Sequence, residues 1–191
     1  MIDAAMNDRF KLYTWSVSLY SAKARAYLIK QHIAFDDISP ASPEYDADIR
    51  PAIGRWIIPV MTTPQGEIVQ DGTDIIDWFE KQNMARLSAY PETPSHLIAS
   101  LIMEIFGGEG MLRPAMHYRW NFDEDNLDFI LQQFGLFALP QVPPGERRDM
   151  ALHAAGRMRK AAVAFGVTPE TAPEIEAAYH DTMAELDAHF A

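Results

Sequence analysis

The stretch that decides the fold is IIPVMTTPQGEIVQDGTDII, residues 57–76. Two strand-like runs, at residues 56–61 and 67–70, flank a cluster of turn residues at 63–66, and this arrangement predicts a β-hairpin. Asp71 follows directly as a helix cap, and the apolar residues after it recur at helical spacing. A hairpin that leads straight into a helix predicts the second half of a small α/β domain.

The flanking sequence extends this prediction in both directions. Upstream, residues 10–15 alternate and carry aromatics as a strand does, residues 23–30 favour a helix, and residues 33–40 predict a second strand. From Pro91 onward the strand signals vanish. There, Thr93-Pro94 is typical of a helix start, and residues 171–174 fit a capping box. The acidic run 123–125 is interpreted as a solvated loop.

Composition excludes several classes of function. The 191 residues carry a net charge of −11, which argues against nucleic acid or an anionic membrane as the main partner. No cysteine is present, so the chain has no disulfide and no thiol nucleophile of its own. The six histidines lack metal-ligand spacing, so we expect no metal. The first nine residues lack a signal-peptide core, and we expect a cytoplasmic protein.

Pro59 lies inside an apolar strand, where it removes a hydrogen-bond donor from the sheet. It fits either an ordinary edge strand or a cis bond, which costs an X–Pro pair only about 0.5–1 kcal/mol. In the second case the backbone of Ile58 would be available to an extended ligand as a short strand partner. The residues themselves leave both alternatives open.

Two further positions combine a helix start with ligand-binding chemistry. Backbone N–H groups at residues 71–74 suit a carboxylate, and Asp71 suits an ammonium, so together they could clamp an α-amino acid group. Ser16 and Ser18 precede the first helix, where a hydroxyl can donate to a thiolate. For each position taken alone, plain helix capping is the favoured explanation.

These pieces, in this order, resemble the soluble glutathione transferases of the serine type. The resemblance rests on residues 18–25, 58–61 and 69–76, with a helical remainder behind them. It implies an α/β thioredoxin-like N-terminal domain at residues 8–84, followed by an all-α helical C-terminal domain at residues 91–191. Members of the family usually continue beyond the last helix seen here, so we expect a shortened C-terminus.

The resemblance also implies roles for individual residues. Ser18, with Ser16 beside it, would contact the glutathione sulfur. Ile58 precedes the family's cis-proline, Pro59, and would pair with the cysteinyl backbone. The remaining glutathione contacts would be Asp71 for the γ-glutamyl ammonium, Gly72 and Thr73 for its carboxylate, and Arg55 for the glycyl carboxylate. Gly72 departs from the family, in which many members have a serine there.

A second substrate would bind beside glutathione. The candidate lining residues of the second domain surround a kink suggested by the glycines at 107–110: Phe106, Arg113, His117 and Trp120. Tyr20 of the first domain is a further candidate for the same pocket. A buried hydrogen-bonded cluster explains His117 and Trp120 equally well. The resemblance implies a homodimeric transferase that conjugates glutathione to a small hydrophobic electrophile. A glutathione-dependent lyase or isomerase, or a non-catalytic adaptor on the same fold, is the alternative.

Overall fold

The computed structural model describes residues 9–138 and 141–191 and divides them into two compact units. One unit comprises the chain through Tyr90 together with Gln133–Val142, and the other comprises Pro91–Gln132 with Pro143–Ala191. The predicted first domain begins at residue 8, which lies outside the described residues. The predicted α/β thioredoxin-like domain followed by helices is confirmed.

The first unit is built on a four-stranded mixed sheet of order β2-β1-β3-β4. Strand β1 runs parallel to β2 and antiparallel to β3, and β3 runs antiparallel to β4. Its elements are β1 (Phe10–Tyr13), α1 (Leu19–Lys30), β2 (Phe35–Ile38), a π-helical turn (Tyr45–Ile49) that continues into α2 (Arg50–Ile53), β3 (Val60–Thr62), β4 (Ile68–Gln70) and α3 (Gly72–Lys81).

Alternating side chains of the sheet build a core on each of its faces. Leu12 and Met61 are fully buried on the face that α1 and α3 cover, in a cluster that also contains Phe79. Tyr13 and Val60 point to the other face and pack with residues of the π-helical turn. Because successive side chains of a strand point to opposite faces, the short strands serve two cores at once.

Among the described residues of the second unit, every regular element is a helix. Its elements are α4 (Pro94–Ile105), a π-helical turn (Phe106–Gly110), α5 (Leu112–Trp120), α6 (Asp123–Ala138, whose last turns belong to the first unit), α7 (Pro144–Ala164) and α8 (Ala172–Phe190). Helix α5 packs against both α7 and α8. Among the described residues, every helix is too short or too polar to cross a membrane.

Two sequence-based predictions in this unit are wrong in detail. The acidic run is the first turn of α6 rather than a loop, and negative side chains at a helix start are stabilised by the helix dipole. Thr171 precedes α8 as expected but makes no capping hydrogen bond. Its backbone is already helical, and its hydroxyl donates to the Gly166 carbonyl oxygen at 2.6 Å instead.

Glu80 joins the end of α3 to the segment that leaves the first unit. Its carboxylate accepts hydrogen bonds from the Ala89 N–H at 2.8 Å, the Tyr27 hydroxyl at 2.8 Å and the Ser88 hydroxyl at 2.7 Å. Burial alone would raise the pKa of Glu80, but these three hydrogen bonds outweigh it and lower that pKa. The ionised form is therefore the one that the fold stabilises.

We expect Glu80→Gln to lower the melting temperature at neutral pH by about 4 °C, since hydrogen bonds to a charged acceptor are lost. A pKa lowered by folding adds stability above the ordinary value of 4.5, and this stability is lost as the pH falls through the folded-state pKa. The variant should therefore lose less melting temperature than wild type on acidification below pH 4.5. Thermal melts across pH test this, with Glu92→Gln at an exposed position as control; parallel curves for wild type and Glu80→Gln would contradict it.

Candidate active site

The strand register brings three predicted site segments to one end of the sheet. Tyr13 pairs with Val60, and Val60 pairs with Gln70. Three segments therefore lie at the same end of the sheet: the loop after Tyr13, the residues before Val60 and the residue after Gln70. A hydrogen bond of 3.1 Å from the Asp71 N–H to the Pro59 carbonyl oxygen joins two of these segments directly.

Ser18 is the N-cap of α1. Its backbone is extended, and its Oγ accepts a hydrogen bond from the Ser21 N–H at 3.2 Å. Since the oxygen acts as acceptor in that bond, the hydroxyl proton is left to donate to a ligand. Capping and sulfur binding are therefore compatible roles for this one side chain.

Ser16 lies two residues earlier and is exposed. Its hydroxyl donates to the Gln133 Oε1 at 3.1 Å, within the same unit. The proton of Ser16 is thus already committed to an amide oxygen. Of the two candidate serines, Ser18 is the one whose hydroxyl oxygen accepts rather than donates within the described residues.

The Ile58–Pro59 peptide bond is cis, and Pro59 is fully buried. Within the described residues, neither the N–H nor the C=O of Ile58 takes part in a hydrogen bond. A peptide lying along this segment would find one unpaired donor and one unpaired acceptor, which is the pairing pattern of a short strand.

Tyr45 fixes the residue that precedes this segment. Its hydroxyl accepts from the Ile57 N–H at 3.1 Å and donates to the Ile57 carbonyl oxygen. Burial raises the pKa of Tyr45, so its hydroxyl keeps the proton that the second bond needs. Because Ile57 is held at both backbone groups, the position of Ile58 is restrained as well.

Asp71 combines a helix cap with an uncommon backbone conformation. Its φ is +77° and its ψ is 145°, and its Oδ1 accepts from the Thr73 N–H at 2.8 Å. A non-glycine residue at such a positive φ costs of order 1–3 kcal/mol and is found mainly at functional sites. The side chain is exposed, and its second carboxylate oxygen is left for an ammonium group.

Gly72 is buried where α1 comes closest to the start of α3. A Cβ added there would lie 3.3 Å from the Tyr20 carbonyl oxygen and 3.4 Å from the Lys23 Cδ. The first of these is a backbone atom and cannot move aside easily. A glycine at this position therefore fits the close approach of the two helices.

Arg55 lies at the same end of the sheet. Its Nε and Nη2 donate to the Gln70 Oε1 at 3.3 and 3.1 Å, and its guanidinium is exposed. Gln70 is the residue directly before Asp71. The structure thus holds a cation beside the site, where an incoming carboxylate could reach it.

An aromatic cluster near these segments was missed by sequence reasoning. The ring of Trp15 lies 5.1 Å from that of Trp56 and 5.5 Å from that of Phe134. The Trp15 Nε1 is buried and has no hydrogen-bond partner within the described residues. Trp56 is 45% exposed. The sequence contained one indication of this cluster, because each tryptophan is directly adjacent to a predicted site residue.

The predicted second-substrate residues fall in both units. Tyr20 is exposed on α1, Phe106 and Arg113 are exposed in the helical unit, and Trp120 is buried there. His117 is also buried, with its Nε2 2.7 Å from a Glu176 carboxylate oxygen and its Nδ1 2.8 Å from the Asn121 amide nitrogen. Both ring nitrogens of His117 are therefore used inside the helical unit.

The helical unit contains a cavity of about 710 Å³ beside this histidine. Its lining includes two of the predicted residues, His117 and Trp120, together with Phe122 and the acidic start of α6. Phe106 and Arg113 are not among its lining residues. Within residues 9–138 and 141–191, no three potential metal ligands cluster.

Comparison with known proteins gives a family match for the first unit. Residues 12–86 match the family described as glutathione S-transferase, N-terminal domain. No curated protein sequence matches the chain.

Solved structures with a similar fold include three that contain glutathione. Glutaredoxin 2 from Salmonella typhimurium is 14% identical, with a TM-score of 0.45 over 83% of this chain and 65% of that one. A glutathione S-transferase from Methylobacillus flagellatus is 18% identical, with a TM-score of 0.42 over 81% and 67% of the two chains. One from Ceriporiopsis subvermispora is 14% identical, with a TM-score of 0.40 over 78% and 73%.

This chain thus spans less than two thirds of the glutaredoxin 2 chain, at 65%. Identities and scores this low do not establish a shared activity. The family match rests on the first unit alone.

Proposed function

We propose that this chain binds glutathione and activates its thiol for attack on a small hydrophobic electrophile, and the match of residues 12–86 to the glutathione S-transferase N-terminal domain family supports this proposal. The observation that supports the proposal is that the strand register brings the loop that leads to Ser18, the segment of Ile58 and Asp71 to one end of the sheet. A hydroxyl donor, an unpaired backbone segment and a carboxylate match the thiol, the cysteinyl backbone and the ammonium of this tripeptide.

Glutathione would lie across the loops of the first unit. Its cysteinyl N–H and C=O would pair with the free backbone groups of Ile58, and its γ-glutamyl ammonium would bind Asp71. The γ-glutamyl carboxylate would face the start of α3, at Gly72 and Thr73, where the positive end of the helix dipole favours an anion. Arg55 would bind the glycyl carboxylate as a charge-assisted pair.

Thiol activation would depend on Ser18. A thiol near its free pKa of about 8.5 is mostly protonated at neutral pH, whereas only the thiolate attacks. The hydroxyl proton of Ser18 and the positive end of α1 both favour the anion. Each unit by which they lower the thiol pKa corresponds to about 1.4 kcal/mol.

The conjugation step conserves atoms and electrons. The thiol proton leaves to solvent, the sulfur forms a bond to the electrophilic carbon, and the leaving group departs with the electron pair of its broken bond. The chain has no cysteine to compete as nucleophile. A related lyase or isomerase would use the same thiolate and the same contacts.

We assign the electrophile to a surface that includes the aromatic cluster of Trp15, Trp56 and Phe134. The residues predicted from the sequence are separate candidates for contacts with the electrophile: Tyr20, Phe106, Arg113, His117 and Trp120. Aromatic rings favour flat apolar molecules through stacking and burial. A physiological role in detoxification would follow from such a substrate range.

We further propose a cytoplasmic homodimer. Helix α4 has no buried residue, and Ile98, Leu101, Ile102 and Ile105 are all at least 44% exposed. Apolar side chains concentrated on one short helix favour a protein–protein contact, and a second copy is the partner that the family resemblance implies. The rival reading is a non-catalytic adaptor, which would have no need of a free hydroxyl proton at Ser18.

The proposal is tested by titrating the purified chain with glutathione in a calorimeter and then measuring conjugation to a panel of electrophiles. We expect binding at or below millimolar glutathione, and catalysed conjugation of at least one aromatic electrophile. Light scattering on the same preparation reports whether the particle is twice the chain mass of 21.6 kDa. Binding without conjugation would favour the carrier or adaptor reading, and a folded chain that binds no glutathione would refute the proposal.

A further inference from the structure

Three polar side chains form a closed hydrogen-bonded network just after the end of β1. The Thr14 hydroxyl donates to the Asp37 Oδ1 and accepts from the Arg25 Nη2. The Arg25 Nε donates to the Asp37 Oδ2 at 2.7 Å. Each of the three side chains therefore holds both of the others. This Thr14–Arg25–Asp37 network joins the end of β1 to β2 and to α1.

The network lies mostly out of solvent. Thr14 is buried, and the side chain of Arg25 is only 21% exposed. Hydrogen bonds between charged partners are stronger than neutral ones, and burial reduces their screening by salt. The backbone of Thr14 is held as well, because its N–H donates to the Ile38 carbonyl oxygen at 3.0 Å. Thr14 is thus anchored through both its backbone and its side chain.

This anchor lies at the start of the turn that leads to Ser18. The Ser18 N–H donates to the Trp15 carbonyl oxygen at 3.1 Å, so residues 15–18 form a tight turn. Ser18 then caps α1, and Arg25 lies about two helical turns further along that helix. The side chain of Arg25 returns to Thr14, where the turn begins. Ser18 therefore lies within a closed circuit of chain and hydrogen bonds.

Such a circuit matters because hydrogen-bond donation depends on position. A hydroxyl stabilises a thiolate only when distance and direction are both favourable. A displacement of about 1 Å can remove much of a catalytic effect. A donor that is already held in place needs no reorganisation when the negative charge develops. The restraint on Ser18 is therefore of the kind that thiol activation requires.

We infer that Thr14, Arg25 and Asp37 position the Ser18 hydroxyl for the sulfur of glutathione. The inference rests on the proposed function and adds three positioning residues to it, which act through Ser18. Arg25 and Asp37 carry opposite charges in direct contact, so the network supplies little net charge to a thiolate. Its contribution is therefore geometric.

The test replaces Thr14 with valine, which has nearly the same shape but no hydroxyl, and leaves the ion pair of Arg25 with Asp37 in place. We expect the thiol pKa of bound glutathione to rise by about half a unit to one unit, and glutathione affinity to change less than twofold. Thr14→Ser keeps the hydroxyl and should retain the wild-type thiol pKa. Arg9→Gln removes the 3.3 Å ion pair with Asp36 at the opposite end of β1 and β2, and should also leave that pKa unchanged.

A purely structural network is the competing explanation. It would lower the melting temperature of Thr14→Val without changing the thiol pKa, which is measured well below the melting temperature. The double variant with Ser18→Ala separates the two roles further. If Thr14 acts through Ser18, adding Thr14→Val to Ser18→Ala should cause no further rise in the thiol pKa.

An unchanged thiol pKa in Thr14→Val would overturn the inference while leaving the proposed function intact. A rise of the same size in the Ser18→Ala background would also overturn it, because the effect would then not pass through Ser18. Wild type that binds no glutathione, or that leaves its thiol pKa at the free value, would refute the proposed function and the inference with it.

If Thr14→Val does not fold, Asp37→Ala takes its place. The Asp37 side chain is 43% exposed, so its removal leaves no buried cavity. Loss of a negative charge would by itself lower the thiol pKa. A rise in the thiol pKa would therefore support positioning by the network, and a fall or no change would overturn it.

Discussion

Replacing Ser18 with alanine is expected to raise the thiol pKa of bound glutathione by about one to two units, because a hydrogen bond to the thiolate is lost. Conjugation at neutral pH should fall by about tenfold or more, since less of the thiol is ionised. Glutathione affinity should change by only a few-fold, as the backbone and charge contacts at Ile58 and Asp71 are untouched. The thiolate absorbance of the complex, followed against pH, measures the first effect directly.

Two controls separate an effect on the thiol pKa from an effect on the stability of the fold. Alanine also removes the N-cap of α1, which costs about 1 kcal/mol of stability, so the melting temperature must be measured alongside. Ser18→Thr keeps both the cap and the hydroxyl and should retain a lowered thiol pKa. An unchanged titration in the alanine variant would contradict the role of Ser18 and would transfer it to Ser16 or Tyr20.

Replacing Asp71 with asparagine is expected to weaken glutathione binding by about ten- to a hundredfold, the worth of a hydrogen-bonded pair between charged groups. Asparagine is as good an N-cap as aspartate and tolerates positive φ values, so α3 should form normally. The loss should therefore appear in affinity and not in melting temperature. Calorimetric titration and thermal melts of both proteins measure the two quantities.

Glutaryl-cysteinyl-glycine provides the matched ligand, because it lacks the γ-glutamyl ammonium and keeps the carboxylate. Wild type and Asp71→Asn should bind it with nearly equal affinity if Asp71 acts on the ammonium. A variant that binds both ligands as wild type does would exclude Asp71 from the site. An equal loss for both ligands would reduce its role to shaping the turn.

Much of the first unit could be predicted because its signals are local. The turn cluster at 63–66 joins β3 and β4, and the cap at Asp71 starts α3, so a few adjacent residues specify the hairpin and the helix after it. The order of elements then restricts the sheet to very few arrangements. Ser18, Ile58 and Asp71 follow from the same motifs, since each lies where a strand and a loop or helix meet.

Features that depend on distant residues could not be predicted in this way. The contact between Trp15 and Phe134 joins positions more than a hundred residues apart. The fit of Gly72 depends on how closely the Tyr20 carbonyl oxygen approaches, which only the packing of α1 on α3 determines. Lys23 reaches the start of α3 for the same reason, and in the sequence it is simply one more helix-favouring residue.

The second unit shows how a local signal can also mislead. Thr171 and Glu174 have the spacing of a capping box, but the box requires an extended backbone at the threonine. The observed φ of −92° and ψ of −14° are helical, and the hydroxyl turns toward Gly166. The acidic run at 123–125 has the composition of a loop, yet its charges are favourable at the start of α6.

The measurement that tests the central claim most directly is the pH titration of thiolate absorbance for glutathione bound to the wild-type chain. Since the chain contains no cysteine, the whole thiolate signal belongs to the ligand. We expect the bound thiol to ionise at a pH at least one unit below the free value of about 8.5. Glutathione that binds but ionises at its free value would contradict thiol activation by this chain.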